Sequence, residues 1–239
     1  MLFPFINHWC CKLQQQHLQL WLGSELHAQC SWQPDLPLPA QLEHLFSMLP
    51  AAPAWRDSLE FIIDAPHINY LLVPWPQGIT RPRELRQYAR LLLAEQQGEQ
   101  AGMKVSFLRS SFGEDAFAAL LKKTLFASLK QLASQHRLRL TGCSTPFSNL
   151  LSRFGRTLPE NALFASTGGQ ESSFALRWQH RWHSVFTLRL PHGDRLQQLD
   201  TANRLAGLPP LERYVADSGL GTPHAAASTR EAPENNRDD

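Results

Sequence analysis

Leu59-Glu60-Phe61-Ile62-Ile63-Asp64-Ala65-Pro66-His67-Ile68-Asn69-Tyr70-Leu71-Leu72-Val73-Pro74-Trp75-Pro76 is the stretch from which the architecture is read. Apolar Leu59, Phe61, Ile62 and Ile63 make a strand, Asp64-Ala65-Pro66-His67 a tight turn, and residues 68–73 a second strand stopped by Pro74-Trp75-Pro76. Proline explains each break, because it removes a donor from the ladder and fixes φ. The two strands are expected to pair as a hairpin and to lead into an amphipathic helix that opens near Pro82 and stops at Gly98. Leu85, Tyr88, Ala89, Leu92 and Leu93 mark its buried side, and Arg81, Arg83, Arg86 and Arg90 make the other a basic, solvated face. Hairpin followed by helix is the opening of an α/β layer.

On the amino-terminal side, residues 9–13 and 16–22 read as two short strands around Gln14-Gln15, because Leu18, Leu20 and Leu22 alternate with more polar neighbours. Residues 25–32 complete a meander, and a proline-marked loop precedes a helix over residues 40–48. On the carboxyl side, residues 103–108 read as a strand and residues 115–136 as the longest helix. Phe117, Leu120, Leu121, Thr124, Leu125, Ser128, Leu129 and Leu132 fall there at three- and four-residue steps. The acids at its start and Lys130, His136 and Arg137 near its end suit the helix dipole. Residues 138–141 read as a strand broken by Gly142, then residues 146–154 as a helix. Residues 163–166, 173–179 and 182–190 read as three antiparallel strands, the last two joined at His180-Arg181, and Gly193-Asp194 opens a final helix to about Leu205. The expected organisation is an N-terminal lobe over residues 1–100, an α/β lobe over residues 101–215, and a disordered tail over residues 216–239, too poor in apolar residues to bury itself.

The 239 residues are 43% hydrophobic with seven Trp and thirteen Phe, enough for a core. A net charge of +2 argues against a nucleic-acid partner held by counterion release. Cys10, Cys11, Cys30 and Cys143 have no C-x-x-C spacing, so a closed zinc site is not expected, and they are read as reduced thiols. Residues 1–9 lack a basic n-region and are interrupted by Pro4, so no signal peptide is read there. No apolar run approaches the ~20 residues that span a bilayer, so the chain is expected to be soluble or peripheral, linked to a membrane through a partner.

Candidate chemistry is sparse. Asp64 closes an apolar strand, where a carboxylate can bind metal, but it is also a turn former with no second acid nearby. His180 and His183 bracket Trp182 without a carboxylate to orient either ring. Gly142-Cys143-Ser144 lacks the nucleophile-elbow spacing, and Ser144-Thr145-Pro146 fits a helix cap. Ser166-Thr167-Gly168-Gly169-Gln170 is the glycine-containing loop that could bring backbone N–H groups to a phosphate, although it lacks the Walker lysine and the G-x-G-x-x-G rhythm.

Four segments carry a resemblance: "IDAPHINYLLVPWP" (residues 63–76), "RQYARLLLAEQQG" (86–98), "LKQLASQHRLRLTGCSTPF" (129–147) and "ALFASTGGQESSFALRW" (162–178). Together, over about residues 59–190, the chain resembles the actin-like assembly proteins of type IV pili and type II secretion, the PilM and GspL group. The resemblance implies an α/β fold related to actin and ribonuclease H, with mixed sheets and flanking helices. It implies a cytoplasmic platform, peripheral to the bacterial inner membrane, that holds the cytoplasmic segment of a membrane pilus or secretion protein and communicates with an assembly ATPase. Some members of the group bind ATP. Here the Asp-x-Gly of the first phosphate loop is missing, the amino-terminal strands offering Leu22-Gly23-Ser24. The second loop matches Ser166, Thr167, Gly168 and Gly169 in position, with Ser166 or Thr167 where an acid belongs. The glycine pair that admits adenine is replaced by a single Gly207 before Leu208-Pro209-Pro210. Loss of the Mg²⁺ carboxylate and the amide cradle leaves little to neutralise a triphosphate.

The expectation is a non-catalytic scaffold without cofactor, receiving a partner peptide at sheet edges and helix grooves, with Tyr70, Trp75 and Arg86 as candidate contacts. The alternative is an actin-like ATPase binding Mg-ATP between its lobes, with Asp64 supplying the metal carboxylate. A stand-alone α/β interaction domain is the third possibility.

Overall fold

A computed structural model describes residues 7–49, 57–97, 102–168, 170–189 and 194–216. Strands β1 (His8–Leu13), β2 (His17–Leu22) and β3 (Glu25–Ser31) form the expected antiparallel meander. Helix α1 (Leu38–Ser47) follows, with Pro39 in its first turn, where a missing N–H leaves no bond unmade. Strand β4 (Ser58–Ile63) then runs parallel to β1. Strand β8 (Arg139–Ser144) pairs parallel with β4 and completes a five-stranded sheet in the order β3-β2-β1-β4-β8. Cys11, Leu13, Leu59, Phe61 and Ile63 are fully buried there, packed with Leu42, Leu45 and Phe46 of α1 and Leu129 and Leu132 of α3 (Lys123–Gln135). Each such fully buried Leu, Ile or Phe contributes roughly 1.5–3 kcal/mol.

The same plan is used a second time. Strands β9 (Ala162–Thr167), β10 (Glu171–Trp178) and β11 (Arg181–Arg189) are an antiparallel meander. Helix α5 (Arg195–Leu205), capped by the Asp194 side chain, leads to β12 (Glu212–Ala216), which pairs parallel with β9. The order is β11-β10-β9-β12. The β1–β2 turn and the β9–β10 turn are therefore equivalent positions in two copies of one unit.

Between β4 and α3 lies an inserted layer: β5 (Ile68–Val73), α2 (Pro82–Gln97), β6 (Met103–Arg109) and β7 (Ala116–Lys122), with sheet order β5-β7-β6. Leu85, Ala89 and Leu93 of α2 pack on Val73, Val105, Ala118 and Leu120. Glu84 Oε2 accepts from Thr80 N at 3.1 Å and Arg81 N at 3.2 Å, satisfying donors at the helix start. Helix α4 (Pro146–Ser152) begins at a Thr145–Ser148 capping box and buries Phe147, Leu150 and Leu151 against Phe117 and Phe164.

Five expectations are corrected. The strands over residues 59–73 do not form a hairpin: β4 is held between β1 and β8, and β5 pairs antiparallel with β7 in a different sheet. Asp64-Ala65-Pro66-His67 hands the chain from one sheet to the other, which local propensity cannot distinguish from a hairpin turn. The long helix over residues 115–136 is a strand followed by a shorter helix, because Ala116 to Leu121 are all buried in a central strand and show no alternation to contradict a helical stripe. Gly142 lies inside β8 opposite Glu60 and does not end the strand. The turn between β10 and β11 is Gln179-His180, both left-handed with φ of 50° and 66°. The expected tail starts one residue too early, because Ala216 is the buried last residue of β12; residues 217–239 lie outside the described residues.

Candidate functional site

The parallel strands β1 and β4 end side by side, Leu13 opposite Ile63, so the Gln14–Gln16 turn and Asp64 share one edge of the five-stranded sheet. Ser166, Thr167 and Gly168 end the equivalent strand of the four-stranded sheet, and the two edges face each other. Ser166 Oγ donates to Asp64, 3.1 Å from Oδ2 and 3.2 Å from Oδ1, across 102 residues of sequence. Asp64 Oδ1 also accepts from Ala65 N at 2.8 Å. Burial raises the Asp64 carboxyl above the ordinary range, and the bonds from Ala65 and Ser166 only partly oppose this.

Beside this pair, the Gln15 side chain reaches over the β9–β10 turn. Its Oε1 accepts from Gln170 N at 2.7 Å and Glu171 N at 3.0 Å, while Nε2 donates to Glu171 O at 2.7 Å. Gly168 is required here: a Cβ would lie 2.5 Å from Glu171 O and 2.7 Å from Gln15 Nε2. Gly168 N donates to Ser172 Oγ, and Ser172 Oγ to Gln198 Oε1 of α5 at 2.9 Å, so the turn is anchored from behind. The amides of Gln170 and Glu171, the groups a phosphate would seek, are occupied by an oxygen from the chain itself. Asp64 is tied to Ser166, and among the described residues no group of three or more His, Cys, Asp and Glu could hold a metal ion. In this arrangement the carboxylate and the amides that Mg-ATP would use are already bonded within the chain. Gly169 lies outside the described residues. Leu22-Gly23-Ser24, expected at the first phosphate loop, is the β2–β3 turn at the other end of the sheet; the position belongs to Gln14-Gln15-Gln16.

The second concave feature is a groove of about 500 Å³. β6 is an edge of the three-stranded sheet and β8 an edge of the five-stranded sheet, and both line it. Leu108, Leu121, Phe126 and Leu140 give it apolar walls, with Lys104 and Ser144 as polar groups. Lys104 Nζ sits 3.5 Å from the Phe126 ring centroid, and the Ser144 hydroxyl is buried without a hydrogen-bond partner. Burial pushes the Cys143 thiol up to about 11, against the pull of Lys104. At Gly142, one of the groove-lining residues, a Cβ would meet nothing within 4 Å, so there is room for a side chain at this position of β8.

The candidate contacts Tyr70, Trp75 and Arg86 are not brought together, and none lines the groove. Tyr70 packs edge-on to Phe147 at 4.8 Å and against Phe117, where burial raises its phenol. Trp75 donates Nε1–H to Ile79 O at 2.9 Å and meets exposed Phe112 edge-on. Arg86 is exposed on α2. His180 pairs with Glu160 at 3.5 Å while His183 is exposed beside Ser184, so they form no shared site. Sequence reasoning missed Gln15, Gly142 and Lys104; the repeated meander-helix-strand order was the signal that would have equated the Gln15 turn with the Gly168 turn.

No protein-family model matches the chain, and no curated protein is significantly similar in sequence. Its structure is similar to a Bacteroides thetaiotaomicron protein with actin-like ATPase fold and unknown function, at TM-score 0.57 and 10% identity over 90% of this chain and 83% of that one. It is also similar to the PilM-PilN type IV pilus biogenesis complex, at TM-score 0.51 and 14% identity over 85% of this chain and 71% of the matched one. The cytoplasmic domain of EpsL, an inner-membrane component of the Vibrio cholerae type II secretion system, aligns at TM-score 0.47 and 13% identity over 77% and 71%. The fold is actin-like.

Proposed function

We propose that this chain is a non-catalytic scaffold of a type IV pilus or type II-like secretion assembly, holding an extended cytoplasmic segment of an inner-membrane partner in the groove between β6 and β8. The observation that carries it is the pairing of two open strand edges across one apolar cavity. An edge strand offers a row of unpaired N–H and C=O groups, and an added strand gains main-chain bonds from them while its alternate side chains enter the groove. Lys104 favours an acidic residue or a terminal carboxylate in that segment. The PilM-PilN complex is a precedent for an actin-like fold joined to a pilus partner. No described helix is long and apolar enough to cross a membrane, in keeping with attachment through the partner at the cytoplasmic face. The Gln15 clasp supports a cleft closed by protein and free of nucleotide.

The test is affinity capture from detergent-solubilised bacterial membranes with the wild-type chain and with Gly142→Phe, which fills the groove. Recovery of inner-membrane pilus or secretion components by the wild type and their loss with the variant supports the reading. Equal recovery by both, or none by either, overturns it.

A second reading has one observation in its favour: Asp64 stands at the carboxyl end of β4 directly across from Ser166, where an actin-like ATPase would need a metal carboxylate. Saturable Mg²⁺-dependent ATP binding by calorimetry, abolished in Asp64→Ala, would establish that reading and remove the nucleotide-free one.

A further inference from the structure

A separate cavity of about 570 Å³ lies between the β6–β7 loop, the α4–β9 connection and the Gln179-His180 turn. Arg109, Arg156 and Arg177 line it with His180. Arg177 belongs to β10 and is only 8% exposed. Its Nε donates to Pro159 O at 3.1 Å and its Nη2 to His180 O, while the guanidinium lies 5.2 Å from the Trp182 ring centroid. Arg109 donates Nη2–H to Leu151 O, and its buried Nε has no hydrogen-bond partner.

These anchors are neutral. Carbonyl oxygens orient a guanidinium without cancelling its charge, and a buried charge is costly unless an opposite charge meets it. Among the described residues no ion pair engages Arg109, Arg156 or Arg177. Glu114 and Asp115 also line the cavity, but both are exposed, and three guanidiniums outnumber them. Burial lowers the Arg177 pKa, the Glu114 charge opposes that, and Arg109 adds to it, so the two guanidiniums are close enough to repel. Each has five N–H donors in a planar fork, and the backbone anchors use one of them in Arg109 and two in Arg177. The donors left over suit a ligand with several acceptor oxygens.

We propose that Arg109 and Arg177 form a binding site for an oxyanion, a phosphate or carboxylate group, with Arg156 and His180 at its mouth. It shares no residue with the β6–β8 groove or the Gln15 clasp, and so stands independently of the scaffold reading.

The experiment follows the arginine Nε–H resonances of the full chain during titration with inorganic phosphate and, separately, with acetyl-diglutamate. The Arg109 Nε–H signal is expected to shift saturably. Tighter phosphate binding identifies a phosphate-bearing ligand, and tighter dipeptide binding an acidic peptide; either supports the site. Arg109→Gln is expected to weaken binding at least about tenfold by removing a charge-assisted donor pair. Glu114→Gln removes a competing carboxylate from an exposed position and is expected to tighten binding about threefold without disturbing the fold. Absence of a saturable shift with both probes, or affinities unchanged in Glu114→Gln, overturns the proposal.

Discussion

Gln15 and Glu171, 156 residues apart, are joined through one carboxamide: Gln15 Nε2 donates to Glu171 O at 2.7 Å and Gln15 Oε1 accepts from Glu171 N at 3.0 Å. A side chain at the tip of the first meander thus caps the turn of the second. In doing so it fills the space between two equivalent turns of a duplicated plan with protein.

Gln15→Ala removes both bonds and the one from Gln170 N. A loss of about 1–3 kcal/mol in unfolding free energy is expected, since stranded amides carry the desolvation penalty unless water reaches them. Gly168→Ala pushes a methyl into Glu171 O and is expected to cost a similar ~1–3 kcal/mol. Urea midpoints at constant m-value measure both, and an unchanged midpoint in either variant contradicts the clasp.

Asp64 titrates with its folded pKa raised by burial. The folded state therefore binds this proton more tightly than the unfolded chain does. The contribution favours folding below the ordinary carboxyl pKa and is lost as pH rises through the raised one. Asp64→Asn keeps an oxygen for Ala65 N and Ser166 and removes the buried charge. The variant is expected to be at least as stable as the wild type at pH 7, with a flatter stability profile on the acid side. A less stable variant at neutral pH would show that the ionised form is the one this site prefers.

Cys143 lies in the groove with its thiol raised to about 11. The reactive thiolate is scarce at neutral pH, so iodoacetamide labelling followed by peptide mass spectrometry is expected to be slow and to accelerate as pH rises toward that value. Lys104→Gln removes the cation that pulls the pKa down and is expected to slow labelling further. Faster labelling in that variant would contradict the placement of Lys104 beside the thiol.

Thr145 Oγ1 accepts from Ser148 N at 3.0 Å, and Ser148 Oγ accepts from Thr145 N at 2.7 Å. Thr145→Ala is expected to cost about 1 kcal/mol by leaving a helix-start donor unpaired. Thermal denaturation reads this as a lowered midpoint, and no shift would mean that the box adds nothing to α4.

Local patterns carried much of the strand inventory. Leu18 and Leu20 alternate with polar neighbours because β2 has one covered face, and that pattern is written in two-residue steps. The pattern failed at residues 116–121, where β7 lies between β5 and β6 and both faces are covered. A continuous apolar run has no period, so steps of three and four were found in it as readily as steps of two. Strand β12 was missed because Glu212-Arg213-Tyr214-Val215-Ala216 is short and follows two prolines; pairing with β9 makes it a strand.

The chain's own residues determined where it bends and which stretches are buried, because proline, glycine and apolar periodicity act within a few positions of themselves. An α/β class, the meander at the start and the absence of a Walker-type loop follow from that alone. Which strand lies beside which was decided only by the folded whole: Ile63 and Ile68 are five positions apart and sit in different sheets, whereas Gln15 and Glu171 touch. Sheet partners, the groove between β6 and β8, and the charge-rich cavity at Arg177 depend on contacts between distant segments, and burial and hydrogen-bond satisfaction over the entire core select those contacts.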